Sequence, residues 1–126
     1  MIAEATDPLK AAKAAYAASL IGGLAAIELL RVAARHHDPQ VRIAVADGLK
    51  NLAAAAPTDL VMNALNDPDV GVRKLALSTA DRLKRADFAQ RVAEIAKADP
   101  AEHLRSAATV TAKHLSTLAP GTPTGP

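Results

Sequence analysis

Apolar residues recur at spacings of three and four along this chain. Val41, Ala44, Val45, Gly48, Leu49 and Leu52 fall on one helical face. Val72, Leu75, Ala76, Thr79, Ala80 and Leu83 repeat the pattern, and Leu104, Ala107, Ala108, Thr111, Ala112 and Leu115 repeat it again. Such spacing is one stripe of an α-helix. Nothing alternates with period two and β-branched runs are absent, so strands are not expected. Each striped helix is followed by a break and a second helix. Gly22-Gly23 precedes a helix from about Leu24 to Arg35. Pro57-Thr58-Asp59 opens a short helix that ends near Asn66, with Thr58 or Asp59 as its cap. Arg85-Ala86-Asp87 precedes a helix carrying Phe88, Val92, Ile95 and Ala96 on one side.

The pattern repeats. Asp-Pro occurs at Asp7-Pro8, Asp38-Pro39, Asp67-Pro68 and Asp99-Pro100, at intervals of 31, 29 and 32 residues. An apolar–basic pair follows each: Leu9-Lys10, Val41-Arg42, Val72-Arg73 and Leu104-Arg105, now at intervals of 32, 31 and 32. Asp before Pro is a helix-start signal, because Asp caps free N–H groups and Pro needs none in the first turn. Two short antiparallel helices cannot bury their apolar faces alone, but hairpins stacked side by side form a continuous core. The expectation is therefore an all-α fold, a short right-handed α-solenoid of about three and a half helical hairpins. Its units run over about 7–37, 38–66, 67–98 and 99–119, with a disordered Pro/Gly/Thr tail at 120–126. The rival is an ordinary Ala-rich bundle.

Composition sharpens this picture. The 126 residues are 50% hydrophobic but only 2% aromatic, and 31 are Ala, whose small side chains let helix axes approach closely. A net charge of +2 excludes a strongly basic nucleic-acid tail and an acidic disordered one. Without Cys there are no disulfides, thiolate metal sites or Cys nucleophiles. The uncharged run Ala14–Ile27 is too short and too weakly apolar to span a bilayer, and Glu4 and Asp7 spoil it as a signal peptide. A cytoplasmic protein without membrane contact is expected. The final hairpin lacks its second helix, and Ser106, Thr109, Thr111, Ser116 and Thr117 suggest a partly wettable cap. At the other end Lys13 takes the place filled by Val45, Ala76 and Ala108, which a charge tolerates only at an edge.

The stretch Asp67-Pro68-Asp69-Val70-Gly71-Val72-Arg73-Lys74-Leu75-Ala76 resembles the start of a HEAT-like repeat. It is similar to the short kind of about 31 residues found in phycobilin-lyase-type members of the ARM/HEAT-like superhelices. The resemblance runs from Asp7 to about Leu118 and implies a fold rather than a function. It also implies a ladder in which an Asp and the Arg six residues later link neighbouring repeats. Asp67/Arg73 and Asp99/Arg105 match that spacing. Asp38/Arg42 is two residues shorter, and Asp7/Lys10 three shorter with Lys for Arg, so the ladder is not expected in the first two units.

Chemistry-bearing groups are sparse. His36-His37-Asp38 suggests metal ligation, but adjacent helical residues diverge by about 100°, and His at a helix C-terminus interacts favourably with the dipole. His103 and His114 are too far apart to cooperate, and Glu102-His103 is a lone, reversed fragment of a di-iron motif. Ser19, Ser78, Ser106 and Ser116 lack a nucleophile elbow, and Gly22-Gly23 is a turn rather than a phosphate loop. No catalytic, cofactor or metal site is expected. Arg82, Lys84, Arg85 and Arg91 form a basic cluster, yet interleaved Asp81, Asp87 and Glu94 and the lack of aromatic platforms make it a solvated face and nucleic acid an unfavoured partner. Leu29 and Val32 lie outside the stripe of Ile27, Leu30 and Ala34, and Met62 and Leu65 extend them along the ridge of second helices. The reading reached is a non-catalytic module or scaffold that binds a protein, or a second copy of itself, on that ridge. An accessory subunit of a bilin-lyase-type enzyme and a weak phosphate-backbone binder are the alternatives.

Overall fold

The structure is a computed structural model that describes residues 7–117. The tail at 120–126 lies outside the described residues, which form seven α-helices and no strand. The helices are α1 (Pro8–Ile21), α2 (Gly23–Ala33), α3 (Pro39–Gly48), α4 (Thr58–Leu65), α5 (Val70–Leu83), α6 (Ala89–Ala98) and α7 (Glu102–Ser116). Helices α1, α3, α5 and α7 form one row, each packed on the next. In the second row α2 touches α1 and α3, α4 touches α3 and α5, and α6 touches α4 and α7. One apolar cluster runs through the stack, from Ala11 and Leu30 to Leu104 and Leu115. This is a short α-solenoid.

Burial fixes the register of the row. Ala11, Val41, Val72 and Leu104 are equivalent, and four residues on come Ala15, Val45, Ala76 and Ala108, all buried. Seven on come Ala18, Gly48, Thr79 and Thr111, also buried. The intervals between first members are 30, 31 and 32 residues. This corrects the expectation for Lys13. Buried Ala15, not Lys13, takes the place of Val45, Ala76 and Ala108, whereas Lys13 is exposed at the position of Ile43, Lys74 and Ser106. The physical reason lies in how each helix starts. Asp7 caps four residues before the first buried position, whereas Asp38 and Asp69 cap three before theirs.

The four Asp-Pro steps do two different jobs. The Asp7 carboxylate accepts the N–H groups of Leu9 and Lys10, and that of Asp38 accepts the Gln40 N–H, as helix caps. Asp67 and Asp99 instead lie two residues before their helix caps, Asp69 and Ala101, and accept the N–H of those cap residues at 2.8 and 2.9 Å. Thr58 and Asp59 do not cap α4 either, because the capping position falls on Pro57 and the Asp59 carboxylate turns to Arg31.

The breaks fall where glycine and proline predict, with one change of form. Gly22 and Gly23 both have positive φ, +76° and +88°, a conformation that favours residues without Cβ. Helix α3 stops at Gly48 and tightens into a 3-10 segment over Leu49–Ala55, so Leu49 and Leu52 are buried from a narrower coil. Gly48 is itself a close-approach residue: a Cβ there would lie 2.6 Å from the Ser19 Oγ on α1. Helix α5 ends on Lys84 in the left-handed region, and its N–H closes on the Ala80 carbonyl.

Candidate interaction surface

Two arginine forks tie the units together at the turns that lead into the first-row helices. Arg42 donates Nε and Nη2 to the Asp67 carboxylate at 2.8 and 3.2 Å, and Nη1 to the carbonyls of His36 and His37, both at 2.9 Å. One unit on, Arg73 repeats this with Asp99 at 2.8 and 3.1 Å and with the carbonyls of Asp67 and Pro68 at 2.9 and 3.0 Å. Each Arg thus grips the main chain of its own turn and the carboxylate of the next unit. The Asp67 bond raises the Arg42 pKa above its ordinary value. Burial pushes the Asp99 carboxyl up, but the Arg73 fork and the Ala101 N–H outweigh it and hold Asp99 below the usual carboxylate range.

The rung at the second unit corrects the expectation drawn from Asp38/Arg42. The residue six before Arg42 is His36, not Asp38, and His36 stands where Asp67 and Asp99 stand in later units. Its Nδ1 accepts the Asp38 N–H at 3.0 Å, as Asp67 accepts that of Asp69. In the burial register Ala12 occupies the place of Arg42, Arg73 and Arg105. The place of the rung at the first interface therefore holds neither cation nor carboxylate, and His36, stacked on His37 with ring centroids 4.6 Å apart, fills the turn. The buried His36 Nε2 has no hydrogen-bond partner among the described residues. Lys10 makes no salt bridge among the described residues. At the far end Arg105 donates Nη1 to the Asp99 carbonyl at 2.6 Å, and its fork faces no carboxylate among the described residues.

The residues expected to bind a partner do not form one patch. Val32 is 43% exposed, Leu29 and Met62 are half-buried, and Leu65 is fully buried. Leu65 belongs to the core because α4 lies against α3, α5 and α6, which cover more of it than one helical face. The basic residues separate as well. Arg82 and Lys84 are exposed, but Arg85 donates to the Ala56 carbonyl at 2.7 Å and lies 5.1 Å from the centre of the Phe88 ring. Arg91 turns to Glu94 at 3.2 Å. In the first row, Asn51 donates to Ser19, Thr79 to the Ala46 carbonyl, and His114 meets Asp81 at 2.6 Å. Among the described residues no group of three His, Asp or Glu is placed to hold a metal, and no helix is long and apolar enough to cross a membrane.

Among the described residues, the most exposed large apolar side chains lie at the first hairpin. Ile21 and Leu24 are 82% and 83% exposed, and Leu20 is 64% exposed. They flank the two positive-φ glycines, which turn the chain so sharply that their neighbours point away from both helices of the hairpin. The uncharged run across Ala14–Ile27, weighed along the chain only as a membrane or signal segment, was the available signal. Leu24, Glu28 and Val32 share a stripe of α2, with the exposed Glu28 between the two apolar side chains. The family of HEAT repeats matches residues 27–113. No curated protein matches the chain.

Proposed function

Because the chain belongs to the HEAT-repeat family, we propose that it is a non-catalytic interaction module that binds a protein partner through the corner formed by Leu20, Ile21 and Leu24. HEAT repeats generally mediate protein–protein contacts, which supports the coarser part of this reading. The finer part rests on one observation: Leu20, Ile21 and Leu24, within five residues around the first turn, are more exposed than the other large apolar side chains among the described residues. Removing a large aliphatic side chain from water is worth about 1.5–3 kcal/mol, a gain that a partner covering these side chains would collect. This corner lies apart from the expected ridge of Leu29, Val32, Met62 and Leu65, where Val32 is exposed, Leu29 and Met62 are half-buried and Leu65 is fully buried.

Affinity capture from the native source tests this, with the wild-type chain and Ile21→Asp/Leu24→Asp as paired baits. The partner captured by the wild type should fall at least about tenfold on the double variant, whose helical circular dichroism stays unchanged because neither side chain is packed. Equal recovery on both baits would remove the corner from the account.

A further inference from the structure

Arg42 and Arg73 define a rule internal to this chain. Each sits in the first turns of a first-row helix, holds its own turn through Nη1, and offers Nε and Nη2 to the Asp that precedes the next first-row helix. Arg105 obeys the first half of that rule, with Nη1 on the Asp99 carbonyl, and its Nε and Nη2 meet no carboxylate among the described residues. A preorganised guanidinium fork is a two-point receptor for a carboxylate.

The surroundings of this fork match the rule. Arg105, Thr109, Ala112 and Ser116 lie on one stripe of α7, at the positions by which earlier units meet their successors. Between this stripe and α6 lies a hollow of about 690 Å³ lined by Ala93, Ala96, Thr109 and Ala112, with Lys97 and Lys113 beside them and no acidic side chain in its lining. We propose that this end of the stack is a second interaction surface, and that its occupant is a helix-entering segment of another protein that carries an Asp two residues before its helix cap. The carboxylate seats on Arg105, and the following helix lays small residues along the hollow, as α7 does on α5. Charge decides against a second copy. Five residues before Ala11, where Asp67 stands relative to Val72 and Asp99 to Leu104, the sequence has Thr6.

The probe is a capped synthetic peptide with the sequence of residues 98–117, which carries this chain's own entry turn and α7, alongside its Asp99→Asn version. Titrated into the intact protein and followed by amide and Arg Nε–H resonances, the Asp peptide should saturate with a dissociation constant between about 10 µM and 1 mM. The shifts should map to Arg105, Thr109 and Ala112. The Asn peptide should bind at least about tenfold more weakly, and Arg105→Gln protein should lose the same factor without further loss from the Asn peptide. Equal binding of the two peptides to unmodified protein overturns the proposal, as does no saturable binding at about 1 mM. Self-association seen by light scattering and abolished by Arg105→Gln overturns the choice of a heterologous occupant. Ile21→Asp/Leu24→Asp protein should bind the Asp peptide as wild type does, because α1 and α7 stand at opposite ends of the row, so the two proposals fail separately.

Discussion

Replacing Asp99 by Asn removes one charge from the most buried rung and changes almost nothing in volume. The Asp99 side chain is 3% exposed and its partner Arg73 11%. The carboxylate accepts three hydrogen bonds, from Arg73 Nε at 2.8 Å, Arg73 Nη2 at 3.1 Å and the Ala101 N–H at 2.9 Å. An amide has only one accepting oxygen, so its NH2 must face a donor. Removing one member of a buried pair costs about 3–5 kcal/mol, but Arg73 keeps its two carbonyl bonds, which brings the expected loss to about 2–4 kcal/mol. That is a large part of the roughly 5–15 kcal/mol typical of a domain, and lowers Tm by roughly 10 °C. The sign of the pH dependence follows from Asp99 being held below the usual carboxylate range. A depressed folded-state pKa contributes stability above the unfolded value, near 4, and loses it as pH falls through the folded value. Urea unfolding of both proteins at neutral pH and in stepwise acid should show a gap that is full at pH 7 and shrinks below about pH 4. A gap under about 0.5 kcal/mol at neutral pH, or one that widens in acid, would refute the rung as a stabilising contact.

Gly48→Ala separates helix propensity from packing. An open glycine in a helix would gain about 1 kcal/mol as Ala. Here the new Cβ would meet Ser19 Oγ at 2.6 Å and Ser19 Cβ at 2.8 Å, so α1 and α3 must part and Tm should fall, by about 1–3 kcal/mol of stability; a raised Tm contradicts the close approach. Ile21→Asp/Leu24→Asp should leave Tm within about 2 °C of wild type, since both side chains lie outside the packing, and a large drop in thermal unfolding would place them in the core instead.

Much of the architecture was legible along the chain. The helical stripes of the second and third units are buried or half-buried as spaced, and the breaks at Gly22-Gly23, Pro57 and Arg85 fall between helices. In the fourth unit Ala107 stands exposed. Register was harder to read, because Asp-Pro marks two different things. At Asp7 and Asp38 the carboxylate caps its helix; at Asp67 and Asp99 it stands two residues earlier and carries a rung. The spacing to the following Arg, six residues at Asp67 and Asp99 but four at Asp38, separates these uses locally, whereas the carboxylate's partner is an Arg 25 or 26 residues earlier in the chain. The same holds for surfaces. Periodicity gives one buried face per helix, yet Leu65 is covered from several sides while Ile21 and Leu24 are covered by nothing described. Burial is a property of neighbours, and neighbours are set by the stack.

The stack is held in register unit by unit, and at the first interface Ala12 and His36 stand where the next two have Arg and Asp. Installing the missing rung tests that directly. His36→Asp alone places a carboxylate at a buried turn with no facing cation and should cost about 1–3 kcal/mol in urea unfolding. Adding Ala12→Arg should restore most of that loss, giving a favourable coupling of about 1 kcal/mol or more in the double-mutant cycle. A double variant no more stable than the sum of its single changes would contradict the register on which the whole account stands.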